Sequence, residues 1–137
     1  MLLPALAALK QLKLPSSDKY GNSTVNIGFL SGGVAPNVIA EEAEARIGIR
    51  IAAGKAGSIR DLLFRTIKHV DERLEVNFVE SMYGPVDIDH DVPGFETIIV
   101  NYGTDIPNMA TELRRKTYLY GPGSILLAHG DREHLTM

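Results

Sequence analysis

Over residues 24–53 the chain alternates between apolar and polar positions. Val25, Ile27 and Phe29 fall on one side of a first run, with Thr24, Asn26 and Gly28 on the other. In a second run Ala43, Ala45, Ile47, Ile49 and Ile51 alternate with Glu42, Glu44, Arg46, Gly48 and Arg50. A period of two with one apolar side predicts two half-buried strands of an antiparallel sheet. The polar edge of the second run then faces water or a partner. The connector, residues 31–37 (SGGVAPN), is long for a hairpin. Its adjacent glycines, Gly32 and Gly33, let the backbone approach a neighbour closely or adopt positive φ.

Helical spacing flanks this hairpin. Leu3, Leu6, Leu9, Leu12 and Leu14 follow roughly one stripe, with Lys10 and Lys13 outside it. Pro4 is tolerated there only in a first turn. Residues 15–22 form a turn-rich loop. Residues 54–57 (GKAG) end the second strand, and Ser58 is then the expected N-cap of a helix with Asp61 in its first turn. Ile59, Leu62, Leu63, Ile67 and Val70 supply its apolar stripe, while Arg60, Arg65, Lys68 and Asp71 lie elsewhere. Residues 74–80 (LEVNFVE) return to period two through Leu74, Val76 and Phe78, and are expected to rejoin the sheet. Helix, strand, strand, helix, strand is most of an α+β sandwich, an antiparallel sheet with two helices packed on one face. One strand of that arrangement is expected in front of residue 1.

After Tyr83-Gly84-Pro85 the character changes. Residues 86–95 (VDIDHDVPGF) are acidic and turn-rich, which predicts a boundary and a division into residues 1–84 and 85–137. Residues 97–102 and 117–120 read as short strands, and residues 109–116 as weakly helical.

Composition narrows the classes. The 137 residues suit about one domain, with 45% hydrophobic and 23% charged positions. A formal net charge of −3 and a pI near 5.8 give no reason to expect nucleic acid or an anionic membrane as partner. Cysteine is absent, which excludes disulfides and thiolate metal sites and suits a reducing, cytoplasmic compartment. The longest apolar run, residues 2–9, is far short of the roughly 20 residues of a membrane helix. It also lacks the flanks of a signal peptide. Both ends of the sequence look abrupt, so a fragment of a larger protein is expected.

The chemistry-bearing residues are few. His129 lies in the cluster AHGDREH, where imidazole and carboxylates together suit zinc. From spacing alone the signal is weak, and a solvated charged tail is the commoner reading of such a cluster near a terminus. His69 belongs to the exposed side of the second helix. His90, between Asp89 and Asp91, reads as part of a solvated loop. Gly103-Thr104-Asp105 and Gly121-Pro122-Gly123-Ser124 are turns whose N–H and hydroxyl groups are able to line a pocket. Gly-Pro-Gly is no phosphate loop, because the lysine and following helix are missing. Arg50, at a strand end, is suited to fork onto a carboxylate; the simpler role is an ion pair with Glu42 or Glu44. Asn37 after Pro36 is a turn residue by default.

Taken in order, these pieces resemble the acetylornithine deacetylase-like metallopeptidases. That family also holds succinyl-diaminopimelate desuccinylase, aminoacylase and the carboxypeptidase G type. Residues 32–50 (GGVAPNVIAEEAEARIGIR) resemble a pattern of the family's lid domain, Gly103-Thr104-Asp105 its Gly-Thr-Asp, and residues 121–129 (GPGSILLAH) its Gly-Pro-Gly…Ala-His. The fungal acetylornithine deacetylase-like peptidases are most similar.

The resemblance implies a two-domain enzyme with two zinc ions (cobalt possible) that releases an amino acid from an N-acyl amino acid or small peptide. It makes residues 1–84 most of a ferredoxin-like lid and dimerisation domain lacking its first strand, and residues 85–137 a late, partial α/β piece of the catalytic domain. It implies His129 as a metal ligand. Asn37, Arg50, Thr104, Gly123 and Ser124 become substrate-lining positions, with the lid residues often serving the partner subunit of a homodimer.

Departures from the pattern limit what the chain alone is expected to do. The family's first metal histidine, bridging aspartate and general-base glutamate map before residue 1, and Ala40 stands where proline is common. This chain by itself is therefore expected to bind no zinc and to be inactive. Two other readings stay open: a non-catalytic dimerisation module, and a small-ligand-binding α+β domain.

Overall fold

The computed structural model describes residues 1–79, 82–100, 102–109, 115–121, 123, 127–128 and 130–135. The chain divides into two compact units, one of Met1–Val86 with Ile99–Pro107, the other of Asp87–Ile98 with Asn108–Met137.

The first unit is α+β. Helix α1 (Leu2–Gln11) leads through two short antiparallel strands, β1 (Ser16–Ser17) and β2 (Gly21–Asn22), into the long hairpin of β3 (Thr24–Gly32) and β4 (Ala43–Arg50), followed by α2 (Ala56–Val70). The core forms where the helices meet the hairpin's inner face. Leu9 of α1 and Ile59 and Leu63 of α2 are buried, with Leu12, Leu14, Ile47, Ile49, Ile51, Ile67 and Phe78 packed around them. Leu3 departs from the expected stripe and is 67% exposed. Leucines three apart drift by about 60° per step on a helix of 3.6 residues per turn, so Leu3 rotates out as Leu6 and Leu9 rotate in. Ser23 fastens the loops below the hairpin: its hydroxyl donates to Pro15 O (2.5 Å) and accepts from the Ala52 N–H (2.9 Å).

The hairpin departs from simple alternation at one place. Ile27 pairs with Ile47 but Phe29 pairs with Arg46, so Gly28 is the extra residue of a bulge. One added residue reverses which face later side chains occupy. Phe29, expected with Val25 and Ile27, instead meets the Arg46 guanidinium at 5.0 Å, and Leu30 stands opposite Ala45. Both uses foreseen for the glycine pair occur. A methyl on Gly32 would lie 2.6 Å from Ala43 Cβ, and Gly33 takes φ +77°. Every residue from 28 to 44 is exposed, so the distal half of the hairpin is an arm.

Three further expectations are corrected. Helix α2 starts at Ala56 with Lys55 as its N-cap and no side-chain cap, not at Ser58; the Ile59 N–H already bonds Lys55 O at 3.1 Å. Residues 74–79 alternate in burial, yet no described strand pairs with them, so they stay extended without a ladder. Residues 97–100 and 117–120 likewise form no strand; Ile98 and Ile99 are exposed, with no sheet among the described residues to bury them. The helix expected over residues 109–116 falls mostly outside the described residues, and a 3-10 turn, Ile106–Asn108, precedes it.

In the second unit, residues 87–91 and 115–118 are clipped together. The Asp89 N–H donates to Thr117 O (2.9 Å), and the Thr117 N–H to Asp89 Oδ2 (2.7 Å). Asp91 accepts from Lys116 Nζ and, at 2.6 Å, from Tyr118 Oη. These two donors hold its carboxyl down at about 2. Phe95 and Tyr120 stack edge to face at 5.8 Å.

Candidate functional site

Arg50 ends β4 opposite Thr24, at the base of the hairpin. Strand alternation puts its side chain on the outer face, away from Ile49 and Ile51. The expected ion pair with Glu42 or Glu44 is absent among the described residues; Glu44 pairs with Arg46 (3.4 Å). Among the described residues Arg50 makes no ion pair or hydrogen bond. Its guanidinium instead lies against Gly103 of the Gly-Thr-Asp turn. A methyl built on Gly103 would stand 3.3 Å from Arg50 Nη1, 3.6 Å from Nη2 and 3.2 Å from Tyr83 Oη. Residues 50, 83, 103 and 104 all belong to the first unit. Arg50 and the Gly103-Thr104 turn, far apart in sequence, are thus brought together, with Thr104 half-buried beside them.

Asn37 is elsewhere. It sits in the exposed turn at the tip of the arm, beyond Gly32 and Ala43, whereas Arg50 is at the base. Seven residue steps of β4 separate tip from base, roughly 23 Å at strand rise. Gly123, with φ +86°, is exposed in the second unit. Ser124 and His129 lie outside the described residues.

The other histidines are spoken for or isolated. His90 and His134 each donate Nδ1–H to a carbonyl two residues back, Ile88 O (3.1 Å) and Arg132 O (2.7 Å). Among the described residues no three His, Cys, Asp or Glu side chains gather as a metal site, so those residues do not fit a zinc centre by themselves. No described helix is long and apolar enough to cross a membrane. A hollow of about 380 Å³ on the helices is lined by Ala8, Arg65, Thr66, His69 and Val70 and holds none of the candidate substrate residues. The sequence does not single out Tyr83. A tyrosine beside Gly84-Pro85 reads as part of a boundary, and only the fold brings it to Gly103.

The peptidase dimerisation domain of the M20 family matches residues 1–74, covering α1, the hairpin and α2. The chain belongs to the M20 peptidase family. Its relatives agree. A probable carboxypeptidase of Aspergillus fumigatus is 47% identical over 151 residues, covering 99% of this chain and 34% of that protein. A peptidase M20 domain-containing protein of Sordaria macrospora is 49% identical, covering 98% of this chain and 30% of that protein. A probable carboxypeptidase of Aspergillus niger is 45% identical, covering 99% and 36%. The chain spans about a third of the length of these curated relatives. No solved structure matches it significantly.

Proposed function

We propose that this chain is the dimerisation and substrate-recognition part of a zinc-dependent amidohydrolase that releases an amino acid from an N-acyl amino acid or small peptide. The observation that carries the reading is the Arg50 guanidinium, without an ion pair or hydrogen bond among the described residues, set against the Gly103-Thr104 turn. A guanidinium that meets no anion among the described residues is suited to a planar carboxylate through two parallel hydrogen bonds. In the intact enzyme, zinc supplies polarisation of the scissile carbonyl when bound. On this reading His129 is one metal ligand, and Gly123 and Ser124 line the pocket. The parts played by this chain's own residues are to hold the substrate carboxylate at Arg50 and to orient the amide from there. The exposed arm favours a homodimer. It presents Phe29, Leu30, Val34, Val38 and Ile39 to solvent, an apolar set of the kind that marks protein interfaces. On this reading Asn37, at the arm's tip, serves the partner subunit's site.

The test is metal content and hydrolysis of N-acetyl amino acids, on this chain and on a form extended upstream to the length of its relatives. The reading expects about two zinc ions and turnover in the extended form, and neither in this chain. An extended form that binds no metal and is inert overturns it in favour of a dimerisation module or a small-ligand-binding domain.

A further inference from the structure

Gly103 is not required by its backbone, since its φ lies outside the left-handed region. What calls for a missing side chain there is space. Arg50 Nη1, Arg50 Nη2 and Tyr83 Oη all lie within 3.6 Å of the point a methyl would occupy. The guanidinium and the phenol therefore converge over one bare stretch of backbone. Neither makes a hydrogen bond or ion pair among the described residues, and both are exposed to solvent. Two donor groups that share a surface and have no acceptor between them form an incomplete hydrogen-bonding arrangement, which an anion completes.

We infer that Tyr83 is a second binding residue of this site: its hydroxyl donates to the carboxylate that Arg50 holds, over a floor kept open by Gly103. This rests on the reading of Arg50 given above and adds Tyr83 and Gly103 to it. The fork of the guanidinium takes the two carboxylate oxygens. A phenol O–H approaching from the side fixes which way the carboxylate plane is turned, which a guanidinium alone on a flexible stem does not. The site selects a free carboxylate over an amide, because an amide NH₂ would be set against a donor in place of an acceptor.

The experiment titrates the full chain with N-acetylalanine and, separately, N-acetylalaninamide, following the Gly103 N–H and Arg50 Nε–H by NMR. The carboxylate is expected to give saturable shifts at both positions and the amide none. Tyr83→Phe, which removes one oxygen and keeps the ring, is expected to weaken binding about tenfold, the size of one hydrogen bond to a charged group. Arg50→Gln is expected to abolish it. If Tyr83→Phe binds as tightly as the unsubstituted chain while Arg50→Gln does not bind, the role of Tyr83 falls and that of Arg50 stands. If Arg50→Gln binds unchanged, the Arg50 reading falls as well. Equal response to acid and amide, or no saturable shift in the unsubstituted chain, overturns the site altogether.

Discussion

The guanidinium of Arg50 rests against Gly103, 53 residues later in the chain, so closely that a methyl there would come within 3.3 Å of Nη1. The atoms it would meet first are the free ends of two flexible side chains, Arg50 and Tyr83. Gly103→Ala is therefore expected to leave stability within about 0.5 kcal/mol of the parent, while displacing the guanidinium and weakening carboxylate binding. Denaturant unfolding alongside the carboxylate titration checks this. A large loss of stability would mean that Gly103 serves the fold instead.

The arm predicts a self-association that depends on its apolar tip. Ile39 is 95% exposed and Val34 87%. Burying a side chain of this size contributes about 1.5–3 kcal/mol, so Ile39→Lys is expected to weaken the dimer by about tenfold or more while leaving the circular dichroism unchanged. Sedimentation equilibrium reads the outcome. A parent chain that is monomeric at high concentration, or a dimer indifferent to Ile39→Lys, would remove the arm from the interface.

Ser23 joins the loop after α1 to the end of β4 through two hydrogen bonds, one to Pro15 O and one from the buried Ala52. Ser23→Ala leaves both partners unmet and is expected to cost about 1–2 kcal/mol. Chemical denaturation measures it. A neutral substitution would show that water replaces the hydroxyl at no cost.

Asp91 predicts a dependence on acid. Its carboxyl titrates at about 2 because Lys116 and Tyr118 donate to it, below the ordinary aspartate value of about 3.9. A depressed carboxylate contributes stability that is whole above the unfolded value and is lost as pH falls through the folded one. The clip between residues 87–91 and 115–118 is therefore expected to hold at pH 5 and loosen between about pH 4 and 2. The Asp91 carboxyl carbon shift follows this by NMR, and a midpoint near 4 would contradict it.

Much of this was readable from local pattern. Period two placed both long strands, the 3.6-residue stripe of Ile59, Leu63 and Ile67 placed α2, and the glycine pair announced the tight end of the hairpin. The misses have physical causes. A bulge at Gly28 shifts register without any change in the sequence alternation, so alternation alone assigns Phe29 to the wrong face. The alternation of residues 74–79 is real as burial, but a strand also needs a neighbour, and sequence pattern does not supply one. Tyr83 matters only through proximity to residues 33 positions before it and 20 after it. Family motifs named Arg50 and Thr104 separately; their meeting is a property of the fold.

On the proposed function, substrates are chosen by their free carboxylate at Arg50. The most direct measurement is kcat/KM of the extended form for an N-acetyl amino acid and for its carboxamide, with Arg50 intact and with Arg50→Gln. The account predicts a strong preference for the acid that falls by about 10- to 100-fold on substitution, matching hydrogen bonds to a charged group. A preference that survives Arg50→Gln unchanged would contradict it.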